Sequence, residues 1–117
     1  MANPAYLVAV GGIIGALLRH LVSLAVERES FPTGTLTVNV LGSFVLGLLT
    51  ALDPGTDLLL LVGTGACGAF TTFSSFSFNV VRLWEGGDPV KAAAYAVANI
   101  VGALAAIGLA RVVASLL

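Results

Sequence analysis

Apolar residues fill four long runs of the chain, and short polar stretches punctuate them. A helix that crosses a bilayer needs about 20 mostly apolar residues. Four segments meet that length, at about 4–26, 33–52, 57–84 and 90–117. The first closes at Glu27-Arg28-Glu29, and the second opens after Phe31-Pro32-Thr33-Gly34. Asp53-Pro54-Gly55 is a turn signal that ends the second. Glu85-Gly86-Gly87-Asp88 follows the third, and Pro89 suits the first turn of the fourth. Connections this short make neighbouring helices antiparallel. The pattern predicts an all-α membrane protein, a single domain over residues 1–117 with four transmembrane helices, multi-pass in the cell membrane. Met1 to Tyr6 carries no basic residue, so the first run is expected to stay as a helix rather than be cleaved as a signal peptide.

The third run is too long for one plain crossing. Its middle reads Gly63-Thr64-Gly65-Ala66-Cys67-Gly68-Ala69-Phe70-Thr71-Thr72-Phe73-Ser74-Ser75-Phe76-Ser77. Glycines and hydroxyls near the bilayer midplane predict a broken helix between about Gly68 and Thr72. Non-helical backbone at that depth must be buried in protein or line a wet cavity, and its freed carbonyls can coordinate a cation. Small residues four apart recur at Gly11 and Gly15, Ser43 and Gly47, and Gly102 and Ala106. Such spacing allows close helix contact in lipid, either within one bundle or between subunits.

Composition rules out water as the solvent. The chain is 58% hydrophobic and 9% charged, with a mean hydropathy of +1.06, where soluble domains are roughly 25% charged. The net charge of -1 comes with no basic stripe, which argues against a nucleic-acid partner. Cys67 is the sole cysteine and reads as a packing residue. Every acid (Glu27, Glu29, Asp53, Asp57, Glu85, Asp88) lies at or beyond a span end. With one histidine and no metal-ligand spacing, no catalytic constellation forms.

The polar groups inside the spans are therefore the candidates. Arg19 lies late in the first span and either pairs, faces water or snorkels to the interface. Asn39 shares a face with Ser43 and needs partners in hydrocarbon, either across a helix interface or on a passing anion. Phe70, Phe73 and Phe76 recur at helical spacing. Periodicity alone reads them as packing. Ring edges are positive, however, and edges lining a narrow path favour a small anion. Thr71, Thr72, Ser74, Ser75 and Ser77 offer hydroxyl donors or bond back to their own helix. Asn79, Asn99 and Tyr95, which shares a face with Asn99, complete the set.

Three quoted stretches resemble the Fluc/CrcB fluoride channels: Gly11-Gly12 through Gly15-Ala16-Leu17-Leu18-Arg19, Gly34-Thr35-Leu36-Thr37-Val38-Asn39-Val40-Leu41-Gly42-Ser43-Phe44, and Gly65 through Phe76. Tyr95 in a small-residue last helix adds a weaker fourth. Order, spacing and length agree along the whole chain. The resemblance implies a passive, fluoride-selective channel that exports fluoride through two pores at the interface of an antiparallel, dual-topology dimer. It implies a structural sodium ion at the dimer centre, held by main-chain carbonyls of Gly68 and Thr71. Phe73 and Phe76 would be the pore rings and Asn39 the pore amide. Thr72 and Ser75 would be nearby hydroxyls, and Arg19 would lie near a vestibule. Ser43, Tyr95 and Asn99 join the candidate pore set.

Two positions depart from the family pattern. Asn79 stands where a glutamate is common, and Asn99 where serine or threonine is frequent. The end bearing Arg28, Arg82 and Lys91 is more basic than the end bearing Arg111. Basic loop ends prefer the cytoplasm, so the chain is expected to favour an outward N-terminus and to pair with itself or with a related chain of opposite orientation. Two other readings compete: a small dual-topology multidrug exporter, which resembles a pattern with an embedded glutamate, and a non-transporting scaffold subunit.

Overall fold

The computed structural model describes residues 2–28 and 30–117. Four long helices carry most of them: α1 Pro4–Val26, α2 Thr33–Leu52, α3 Thr56–Glu85 and α4 Pro89–Ser115. Each is long and apolar enough to cross a bilayer, and the chain is a multi-pass membrane protein. The third helix is broken. Its first half is α-helical over Thr56–Leu58, π-helical over Leu59–Cys67 and α-helical again over Gly68–Phe70. Thr71 (φ -83°, ψ 158°) and Thr72 (φ -149°, ψ 121°) are extended, and the second half is Phe73–Glu85. The interruption lies inside the window that the glycines and hydroxyls mark.

Local chemistry sets the helix ends. Asn3 accepts the Ala5 N–H at 2.9 Å, and Pro4 takes the first helical position of α1. At the α1–α2 turn the Thr33 hydroxyl donates to the Val26 carbonyl, and a Glu27 carboxylate oxygen accepts the Gly34 N–H at 3.3 Å. A side chain from each helix end thus satisfies an orphan backbone group of the other. Asp53 closes α2 in the left-handed region at φ 47°. Asp88 accepts the Lys91 N–H at 3.0 Å and starts α4.

The bundle pairs α2 with α4, and α1 with the first half of α3; the second half of α3 packs on α4. The break is therefore where α3 changes partner. A Cβ at Gly11 would run into the Leu61 carbonyl, and one at Gly15 into the Ala66 carbonyl. These two glycines let the α1 and α3 backbones touch. At Gly47 a Cβ would stand 3.1 Å from the Ile107 Cα, and at Gly102 one would stand 2.9 Å from the Val40 Cγ2. The small-residue spacings serve packing inside one bundle.

The fully packed apolar core is small: Val38, Cys67, Ala92, Tyr95, Ala106 and Ala110. Leu17, Leu24, Val97 and Leu104 point outward. In lipid such side chains are solvated by acyl chains, so a thin core held by close backbones suffices.

Candidate functional site

The break is held by a side chain rather than by backbone. Asn39 Oδ1 accepts the Thr72 N–H at 2.8 Å, and Asn39 Nδ2 donates to the Thr72 carbonyl at 3.1 Å. The carboxamide acts as a surrogate peptide, pairing with both main-chain groups of one residue. An unbroken helix would send the Thr72 N–H to the Gly68 carbonyl. Here that carbonyl is released. Thr72 also caps the second half of α3, its Oγ1 accepting the Ser75 N–H at 3.1 Å. Thr71 instead ties itself back, with its N–H and hydroxyl both donating to the Cys67 carbonyl at 3.0 and 2.9 Å. Its methyl fills the space left by Gly42.

From Asn39 a hydrogen-bonded row crosses the bundle. Asn39 Nδ2 donates to Asn99 Oδ1 at 3.0 Å, and Asn99 Nδ2 donates to the Tyr95 carbonyl at 3.0 Å. Asn79 Nδ2 donates to the Tyr95 hydroxyl at 3.1 Å and to Thr35 Oγ1 at 3.2 Å. Thr35, Thr72, Tyr95 and Asn99 are all buried. Beside the row stands a ladder of rings. Phe73 and Phe76 lie 5.7 Å apart between centroids, Phe76 and Tyr95 5.9 Å and nearly parallel, and Phe31 meets Tyr95 edge-on at 5.3 Å.

Both N–H groups of Asn39 are used within the chain, so its amide ties α2 to the break and to α4. The hydroxyls of Thr35 and Tyr95 accept from Asn79, and neither proton has an acceptor among the described residues. Asn99 keeps one N–H beyond its bond to Tyr95. Ser43 lines a groove of about 330 Å³ with Asn39, Thr71, Phe73, Phe76 and Asn99. The row thus offers unspent donors beside the aromatic ladder with no carboxylate among them, which is chemistry for a small anion.

The structure does not bring all the sequence candidates together. Ser75 lines a separate opening, with Thr35 and Asn79. Arg19 is half-buried on α1 and is not among the residues lining the groove. Gly68 is exposed, and a Cβ there would meet nothing within 4 Å. Two contributors had no role assigned from sequence, Thr35 and Phe31. Thr35 stands four residues before Asn39, a spacing that would have placed both on one face. Phe31 lies in a connection, outside any periodic signal.

Could this backbone hold a cation? The released carbonyl at Gly68 and the extended Thr71 at the surface of the break are hard oxygen donors of the type sodium takes. No cluster of three or more His, Cys, Asp or Glu side chains offers a competing site among the described residues. The donor set fits a main-chain-carbonyl site.

A bundle of four membrane-crossing helices, the third of them broken beside an uncharged donor row, defines a multi-pass membrane protein. Residues 6–111 match the family described as CrcB-like protein, Camphor Resistance (CrcB), and the chain belongs to that family. It is 59% identical over 108 residues to "Fluoride-specific ion channel FluC 2" of Haloarcula marismortui, covering 92% of this chain and 91% of that one. It is 54% identical over 110 residues to "Fluoride-specific ion channel FluC 1" of Halobacterium salinarum, covering 94% and 92%. Against "Fluoride-specific ion channel FluC" of Mesorhizobium japonicum it is 42% identical over 108 residues, covering 86% and 87%.

Proposed function

We propose that this protein is a fluoride-selective passive channel, not an enzyme, and that it lets fluoride leave the cytoplasm. The observation that carries the reading is the row of unspent N–H and O–H donors beside the Phe73–Phe76–Tyr95 ladder, with every acid at a span end. Fluoride is small and strongly hydrated. A path that conducts it must replace water with several weak donors and release it again. The names of the relatives agree with this reading. A proton-coupled exporter needs an embedded carboxylate, and the acids of this chain lie at or beyond the span ends.

The working unit we propose is an antiparallel dimer with two pores. The argument is physical. Gly68 and its released carbonyl lie at the surface of one chain, and Phe73 is 79% exposed. Irregular backbone is not tolerated against lipid, so protein must cover it. A second copy, or a related chain of opposite orientation, would wall the groove. Carbonyls of Gly68 and Thr71 from both chains would then hold a structural sodium ion, which supplies positive charge to bind the two breaks together.

The test is fluoride release from liposomes containing the purified chain alone, with chloride as the control ion. Fast, fluoride-selective release is expected. Equal release of both ions, or none, overturns the channel reading for the homodimer.

A further inference from the structure

Where a helix stops, its last four carbonyls lose their partners. At the break in α3 these belong to residues 68–71. A continuous helix would return the Thr72 N–H to the Gly68 carbonyl and the Ser75 N–H to the Thr71 carbonyl. Side chains take both amides instead. Asn39 Oδ1 accepts the Thr72 N–H at 2.8 Å, and Thr72 Oγ1 accepts the Ser75 N–H at 3.1 Å. The Phe73 and Ser74 N–H groups, the ordinary partners of Ala69 and Phe70, meet no such acceptor among the described residues. Neither the Gly68 nor the Thr71 carbonyl accepts a hydrogen bond among the described residues. Gly68 itself keeps a helical backbone (φ -61°, ψ -37°), so it is the loss of its amide partner that frees its carbonyl. The Thr71 hydroxyl is committed to the Cys67 carbonyl at 2.9 Å, which leaves Thr71 its main-chain oxygen to offer.

We propose that Asn39 and Thr72 are positioning residues for a hard cation at the break. Asn39 holds away the amide that would cover the Gly68 carbonyl, and the Thr72 hydroxyl holds away the one that would cover the Thr71 carbonyl. The proposal rests on the sodium reading above and names what keeps that site open. A carbonyl closed into a helix points its oxygen at an N–H, and a cation must then compete with that bond. The two devices differ in reach. Thr72 acts within one turn, on an amide three residues ahead. Asn39 acts from α2, 33 positions away, and its Nδ2 also fastens the Thr72 carbonyl at 3.1 Å. Neither side chain is itself a ligand. Losing either one weakens cation binding without removing an oxygen from the donor set.

The experiment takes the purified chain in detergent, dialysed free of sodium, at fixed protein concentration. Melting temperature is read against added sodium, with N-methylglucamine replacing it at constant ionic strength. The readout is the sodium-dependent rise, not the starting temperature, so a variant that is merely less stable does not score. Valine at position 72 keeps the β-branched shape that suits the extended backbone there (φ -149°, ψ 121°) and lacks the accepting oxygen. Thr72→Val should need about fivefold more sodium for half the rise, the worth of one N-cap. Thr72→Ser restores the oxygen and should match wild type. Asn39→Ser, which is too short to pair with both groups of Thr72, should shift at least as far. The Thr72 pair carries the test where Asn39→Ser does not stay monodisperse. A wild type whose melting temperature ignores sodium overturns the sodium reading and this proposal with it. A sodium-responsive wild type matched by Thr72→Val, or a serine variant as impaired as the valine one, overturns the proposal alone.

Discussion

Asn39 carries more of the structure than its size suggests. Its carboxamide stands in for a missing turn of helix, engaging Thr72 through both N–H and C=O and then passing a bond to Asn99. Replacing it with leucine keeps the branched skeleton and strands three polar groups in a buried setting. Each orphan costs about 1–3 kcal/mol. Asn39→Leu is therefore expected to lose most of its monodisperse fraction on size-exclusion chromatography in detergent, with a lowered melting temperature. The rings behave differently from each other. Phe73 is 79% exposed, whereas Phe76 stacks on buried Tyr95. Phe73→Ile should leave folding intact and cut fluoride release at least tenfold. Phe76→Ile should cut release similarly and lower the melting temperature as well. Unchanged release in both variants would return the rings to plain packing, as a scaffold subunit requires. At this scale the sequence showed which residues were polar in an apolar setting. It did not show their partners, because Asn39 meets a residue 33 positions away and Asn79 one 44 away. Those pairings exist only once the bundle is closed.

Helix ends were legible because short-range chemistry writes them: Pro4, Asp53-Pro54-Gly55 and Asp88-Pro89 each act within one turn. The position of the break was legible from glycines beside hydroxyls, while the Asn39 carboxamide that holds it open comes from 33 positions away. The π-helical winding over Leu59–Cys67 was not. Nothing in that run alone demands it; the segment lies where the α1 glycines meet the Leu61 and Ala66 carbonyls, a contact between distant parts of the chain. Two glycines separate the roles of this element. Gly15→Val puts a side chain into the Ala66 carbonyl, so the folded yield should collapse. Gly68→Ala meets nothing within 4 Å and sits at helical φ -61°, so a single chain should accept it and gain about 0.5–1 kcal/mol of helix stability. If a second copy covers the break, the added methyl falls in that interface. Gly68→Ala should then keep its helical circular dichroism while losing dimer on crosslinking and losing fluoride release. Dimer and release both at wild-type levels would place the partner's contact elsewhere.

At the scale of the whole molecule, charge and topology pull against each other. The N-terminus, the α2–α3 connection and the C-terminus share one end, whose basic side chain is Arg111. The opposite end gathers Arg28, Arg82 and Lys91. Lys and Arg close to span ends are held in the cytoplasm during insertion, and acids count for little. A chain that inserts equally in both directions needs the two ends nearly matched. This chain has a surplus of two basic groups at one end, which favours an outward N-terminus. An antiparallel dimer must then either draw on the minority of inverted copies or recruit a related chain with the opposite bias. Tags at both termini, read by accessibility in intact cells, should find most N-termini outside. Arg28→Gln combined with Lys91→Gln removes that surplus, and the distribution should move toward equal halves. If wild type already splits evenly, the homodimer needs no second gene product, and the basic end serves the permeating anion rather than insertion. If the double variant does not shift a biased wild type, orientation is set by something other than these loop charges.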